Sequence, residues 1–243
     1  MLRIGKVSYL NTLPLFFCWE RDGVEFVEDV PSKLVELLRA GKIQAGIVSS
    51  VEYLKHPENY RVVPGLSISS SKRACSVVLF SRKPIQHIRN IYLTEASITS
   101  RILALHILRD LYGTSPSSSK SSEGADAILL IGDEAIEEKR RGRWEHVYDL
   151  GEEWYRAYKM PFVFALFLVR RDAPPWLDEL IARECGKSME LFYKTLRGGS
   201  LEVEGYDRAF LEEYFTQCLQ YNLGEREWRS LNFFNEILIK EEL

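Results

Sequence analysis

Apolar residues along this chain come in short runs separated by polar turns, and the runs alternate between strand-like and helix-like spacing. Arg3 to Val7 reads as a strand. The polar stretch Ser8 to Thr12 follows, and a helix begins with Asn11 or Thr12 as its cap and Pro14 in its first turn. Glu25 to Asp29 reads as a second strand. Pro31-Ser32 opens a helix whose apolar positions are Leu34, Val35, Leu37 and Leu38, with Gly41 placed to stop it. Ala45 to Val48 is a buried-type strand ending in Ser49-Ser50, before the helical Val51 to Leu54. Strand and helix in alternation imply βα units and a largely parallel sheet.

The middle of the chain repeats the scheme. Ser76 to Ser81 and Asn90 to Thr94 read as strands, and Ser97 to Ser100 is a turn rich in capping residues. A helix then runs through Ile102 and Leu111 to Gly113, and the serine-rich Thr114 to Ser122 reads as a solvated connection. Ala125 to Ile131 is a strand, and Gly132-Asp133-Glu134 turns into the next helix. Phe162 to Val169 is eight consecutive apolar residues, as expected of a central strand buried on both faces. Beyond it the pattern is helical, with starts at Pro174-Pro175, Tyr206-Asp207 and Glu225.

The long strands 76–81 and 162–169 bracket a self-contained βαβα series and read as paired crossings between two lobes. Residues 1–81 with 165–243 form the first, discontinuous lobe, and 82–164 the second. This is the layout of an α/β protein with a two-lobed, periplasmic-binding-protein-like (type II) fold and a central ligand cleft. One doubly wound sheet is the alternative.

Composition narrows the function classes. Of 243 residues 46% are hydrophobic and 28% charged, which disfavours both disorder and a membrane protein. A formal net charge of −3 gives no sign of a nucleic-acid partner. Cys18, Cys75, Cys185 and Cys218 are scattered and read as buried free thiols. His56, His87, His106 and His146 form no local cluster, so neither a metal site nor a local triad is expected. The N-terminus shows no apolar stretch with a cleavage site, and no run is long enough to span a bilayer, which together point to the cytoplasm.

Four polar turns share one property: each follows a strand and opens a helix. Their candidate substrate-binding residues are Ser8, Ser49, Ser50, Ser97, Thr99, Ser100, Gly132 and Asp133. Hydroxyls and free backbone N–H groups at strand ends suit a small anion. Taken singly, each reads more readily as a plain helix cap, and it is the four together that bring a binding site level with that reading. Lys72, Arg73, Arg82 and Arg101 are placed to steer an anion or to be solvated, and Glu137 to Arg141 reads as an exposed helix face. Trp154-Tyr155 reads as pocket lining or as core.

Several segments together resemble the MqnA family of menaquinone biosynthesis. They are Arg3 to Leu15 with its Ser8-Tyr9-Leu10-Asn11 core, Gly46 to Tyr53, Ser76 to Ser81, Ser97 to Ser100, Ala125 to Asp133, Asp149 to Trp154, and Pro161 to Ala165. They span the first 170 residues or so and occur in family order. The resemblance implies a cofactor-free and metal-free dehydratase that converts chorismate, a dicarboxylate, into 3-[(1-carboxyvinyl)oxy]benzoate and water. It implies Asn11 and Ser76 as the catalytic polar residues, and matches Ser97 to Ser100 to a carboxylate-binding turn, except that Ile98 stands where a polar or basic residue is frequent. The four turns present no histidine, and their nearby carboxylates are Glu95, Asp133 and Glu134. The expected base is therefore the enolpyruvyl carboxylate of the substrate itself. Two alternatives stay open: an MqnD-like enzyme acting on a cyclic futalosine derivative, which the Ser8-Tyr9-Leu10-Asn11 start disfavours, and a non-catalytic small-anion binding protein, which the lack of a signal peptide disfavours.

Overall fold

The computed structural model describes residues 1–19 and 22–241. The first elements are β1 (Leu2–Val7), α1 (Leu13–Phe16), β2 (Val24–Asp29), α2 (Pro31–Arg39), β3 (Ala45–Ser49), α3 (Ser50–Lys55) and β4 (Tyr60–Ser70). Next come β5 (Val77–Ser81), β6 (Asn90–Leu93), α4 (Ile98–His106), β7 (Ser117–Ser119), β8 (Ala127–Ile131), α5 (Gly132–Arg141), β9 (His146–Asp149) and α6 (Leu150–Tyr158). The chain ends with β10 (Phe162–Arg170), α7 (Leu177–Arg197), α8 (Arg208–Glu213), β11 (Gln220–Leu223) and α9 (Glu225–Glu241).

These elements form two compact units. The first comprises Met1–Ser69 and Val163–Gly224; the second comprises Ser70–Phe162 and the chain from Glu225 on. The sequence division into 1–81 and 165–243 against 82–164 differs from this in two places. β5 lies inside the second unit, because it is bonded to β8 on one side and β9 on the other. The last helix also belongs there, because Phe233 and Phe234 of α9 pack on the fully buried Trp154 of α6.

In the first unit a six-stranded sheet has the order β11-β4-β10-β3-β1-β2. β1 runs parallel to β2 and β3, whereas β10 is antiparallel to β3 and β11 to β4, so the sheet is mixed rather than largely parallel. Every residue of β3 is buried, and α2 covers β1 and β3 with Leu34, Val35 and Leu38. β4 has no counterpart in the sequence reading. Its Ser67 and Ser69 look like loop residues, but their hydroxyls donate to the carbonyls of Asn222 and Gln220 on β11, which lets them be buried.

A buried carboxylate ties three elements of this unit together. Glu52 of α3 accepts from Arg39 of α2 at 2.5 and 2.9 Å and from the Tyr60 hydroxyl of β4 at 2.7 Å. Burial, with this hydrogen bond, pushes the Tyr60 phenol well above its ordinary range.

The second unit has a five-stranded sheet of order β7-β6-β8-β5-β9, in which β5 is antiparallel to both neighbours and β6 is parallel to β7 and β8. The serine-rich connection thus contributes an edge strand. Trp154 is core rather than pocket lining, ringed by Tyr158, Phe162 and Phe234, while Tyr155 lies under Lys72. Glu138, expected on an exposed face, is buried and accepts from Arg143 and the Trp144 indole. Arg82 stacks over that indole at 5.2 Å. Cys185 is a buried free thiol as expected; Cys18 is free but exposed, and Cys75 and Cys218 are not free thiols.

The start of β6 is locked by Asp126, whose carboxylate takes the Lys83 ammonium at 2.7 Å and the amides of Arg89 and Asn90. In return the Asn90 side chain accepts from the Asp126 amide at 2.8 Å.

Two outcomes follow from these hydrogen-bonded acids. E52Q should destabilise folding by about 1–3 kcal/mol in chemical denaturation, since a charged acceptor shared by two donors is lost. The Lys83 hydrogen bond, with the two amides, lowers the Asp126 pKa below its ordinary 3.8. A depressed carboxylate stabilises the fold above that ordinary value and ceases to do so as pH falls through the native one. The stability gap between wild type and D126N should therefore narrow as pH drops from about 5 to about 2 in urea titrations.

Candidate active site

The polar residues singled out from sequence divide between the two units. Ser8, Asn11, Ser49 and Ser50 lie in the first; Ser76, Ser97, Thr99, Ser100, Gly132 and Asp133 lie in the second. The four turns therefore belong to two sheets, not to one edge of one sheet.

In the first unit, carrying the register Gly5↔Gly46 along β1 and β3 sets Ser8 level with Ser49. Both turns thus leave the same edge of that sheet. The helix expected after Asn11 is present but short: residues Leu10–Thr12 form one 3-10 turn and α1 has four residues. Thr12 stands at its N-cap position but makes no capping bond with its side chain. Its hydroxyl instead donates to the carbonyls of Val7, at 2.7 Å, and Tyr9. Tyr221 of β11 donates to the Asn11 carbonyl at 2.7 Å and pins the turn from the other side.

The turn is thus held by its backbone, and the Asn11 side chain is left over. Its Oδ1 is buried and has no hydrogen-bond partner, one of three such side-chain atoms among the described residues, with Trp19 Nε1 and Trp154 Nε1. A buried amide oxygen without a donor costs about 1–3 kcal/mol. Ser8 is exposed at the same turn. Ser49 is buried, and the fully buried Ser50 hydroxyl donates to the Val163 carbonyl at 2.8 Å, which gives it a structural partner.

In the second unit, β5 begins where β6 and β8 end, so several candidates come together. The register Val77↔Ile131 places Ser76 opposite Gly132, and the Gly132 amide donates to the Ser76 carbonyl at 2.8 Å. Gly132 opens α5 at φ 61°, a left-handed conformation that glycine adopts without penalty, and Asp133 follows in the first helical turn. Ser97 caps α4 by accepting the Ser100 amide at 3.3 Å, and the Ser97 and Ser100 hydroxyls bond to each other. Thr99 is fully buried beside them, whereas Ile98 is exposed at the head of the helix.

Ser76 is itself buried, with its hydroxyl 3.4 Å from the Ala74 carbonyl. The residue before it, Cys75, has φ 65°, unusual for a side chain with a Cβ. Strain of this kind concentrates at functional sites. Asp149, at the end of β9, faces this turn and accepts the amides of Ala74, Cys75 and Glu152. Burial pushes its carboxyl above the aspartate range, against the pull of those three donors. Sequence reasoning placed Asp149 only within a matching segment. Its one local signal is a capping position before Leu150-Gly151-Glu152.

Comparison with solved structures sets the fold. The alkanesulfonate-binding protein SsuA from Xanthomonas axonopodis pv. citri, bound to MOPS, superposes with a TM-score of 0.71 at 16% identity, covering 100% of this chain and 93% of its own. Protein AF1704 from Archaeoglobus fulgidus gives 0.69 at 17% identity over 99% and 97% of the two chains. A Candida albicans protein described as exhibiting the generic periplasmic binding protein fold gives 0.65 at 10% identity, over 98% and 89%. The fold is therefore periplasmic-binding-protein-like, as the alternation of strands and helices led one to expect. In sequence, the chain is 31% identical over 194 residues to the chorismate dehydratase of Thermus thermophilus, covering 71% of each protein. It is 28% identical over 171 residues to that of Campylobacter jejuni, covering 67% of this chain and 65% of that one. A family described as menaquinone biosynthesis matches residues 2–240, and the chain belongs to that family.

Proposed function

We propose that this protein is a chorismate dehydratase, eliminating water from chorismate to give 3-[(1-carboxyvinyl)oxy]benzoate. The observation that carries the reading is the match to the Thermus thermophilus chorismate dehydratase over 71% of both chains. The buried Oδ1 of Asn11 supports it from the side of the chemistry, as an acceptor with no partner among the described residues.

The reaction removes the proton on C3 and expels the C4 hydroxyl, and the aromatic ring that forms supplies the drive. The C3 proton goes to the enolpyruvyl carboxylate of the substrate, so the protein need not furnish a base of its own. Its task is then to hold that carboxylate against C3 in a reactive geometry, a contribution of up to about 7–11 kcal/mol. Asn11 offers an amide with both donor and acceptor capacity, and Ser76 a hydroxyl at a rigidly held turn. They orient the substrate and stabilise charge that develops as the hydroxyl leaves. Ser8, Ser49, Ser97, Thr99, Ser100, Gly132 and Asp133 supply further polar contacts from the strand ends. Ser50 is the weakest of the set because its hydroxyl already donates to the Val163 carbonyl.

Two measurements test this. Purified protein incubated with chorismate should yield the aromatic enol ether; tight binding without product would instead support a non-catalytic anion-binding protein. N11A and S76A should each lower kcat by about 100- to 1000-fold with an unchanged circular dichroism spectrum, the scale of losing one preorganised hydrogen-bonding group. Near-wild-type turnover in both variants would overturn the assignment.

A further inference from the structure

The segment from Ser70 to Ser76 has no helix or sheet hydrogen bonds over most of its length, yet it is fixed at many points by the end of β9 and the start of α6. Asp149 Oδ1 accepts the Ala74 amide at 2.8 Å, and Oδ2 accepts the Cys75 amide at 2.6 Å. The same carboxylate caps α6 through the Glu152 amide at 3.2 Å. Both oxygens are therefore engaged by backbone donors, and the group is buried.

A second contact acts on the same segment independently. A Cβ added to Gly151 would stand 2.5 Å from Ser70 Oγ, 2.7 Å from the Lys72 carbonyl and 2.9 Å from the Ala74 amide. The segment thus lies so close on the first turn of α6 that only glycine fits beneath it. Lys72 adds an ammonium 5.7 Å from the centre of the Tyr155 ring, on the same helix.

Between these anchors the backbone is forced into the left-handed turn at Cys75, and the next residue is Ser76, whose carbonyl is fastened to the Gly132 amide. We propose that Asp149 is a positioning residue for the dehydration: by gripping the Ala74 and Cys75 amides it holds the strained turn that fixes the Ser76 hydroxyl. The proposal rests on the reading that Ser76 takes part in the reaction. Both Asp149 oxygens are engaged by backbone N–H groups, so the role proposed for it is to hold the turn rather than to act on the reacting atoms.

The test is a comparison of D149N in two backgrounds. The variant keeps the shape of the side chain but turns one acceptor into a donor that opposes an amide N–H. In otherwise wild-type protein kcat should fall about 10- to 100-fold, the scale expected of a small misplacement of a reacting group, with KM changing far less. In an S76A background, followed at high enzyme concentration, the same change should lower the residual kcat by less than about twofold, because the group it positions is gone. G151A leaves the carboxylate in place and displaces the same segment, so it should show the same dependence on Ser76 and carries the comparison if D149N does not fold. D149N with wild-type kcat, or an equal loss in both backgrounds, would overturn the proposal while S76A kept its own large loss of turnover. Wild-type turnover in S76A would instead remove the reading on which it rests.

Discussion

β3 and β5 bury every residue they contain, and β10 buries almost all of its own. That constraint shapes both units. A strand buried on both faces has no room for an unpaired polar side chain, since each one would cost several kcal/mol on leaving water. Polar groups are driven to the strand ends, where chain turns toward helices and the backbone N–H groups are not consumed by a ladder. Candidate chemistry collects there for that reason. In the first unit it lies at the ends of β1 and β3, and in the second at the ends of β6, β8 and β9 and the start of β5.

Most hydroxyls at those ends serve the fold. Ser50 is tied to β10, Ser97 and Ser100 bond to each other, and Thr12 bridges back to Val7. Asn11 differs in that its turn is already secured by Tyr221 and Thr12, so its amide is free of structural duty. Ser76 differs in another way. Its position is set by a turn that costs strain at Cys75 and is held by a buried acid from a neighbouring strand. A side chain spared from the fold and a side chain held at some cost are both what preorganised catalysis requires.

The periplasmic-binding-protein-like fold suits either binding or turnover, so the fold does not choose between them. Membership of the menaquinone biosynthesis family and the similarity to chorismate dehydratases make the choice. What the site then adds is economy. An elimination in which the substrate carries its own base needs few groups from the protein, provided those few do not move.

Strand and helix positions were legible because burial leaves a period: β1, β2, β3, β5, β6, β8 and β10 all stand where apolar runs put them. Turn chemistry was legible too, as at Ser97, which caps α4, and Pro14, which sits in the first turn of α1. The catalytic candidates Asn11 and Ser76 came from the resemblance, since an asparagine or serine in a turn looks the same whether it caps, links or catalyses. β4 escaped because Pro64-Gly65 interrupts it and because its serines are buried only through partners on β11, more than 150 residues away in sequence. The grouping of strands into units, and with it the place of β5 and α9, depends on hydrogen-bond partners and ring contacts that no local pattern encodes. So does the role of Asp149, a capping residue by sequence. Short-range order is written in side-chain period and turn preference, whereas these features arise only when distant backbone groups meet and a buried carboxylate must satisfy whatever donors the fold brings to it.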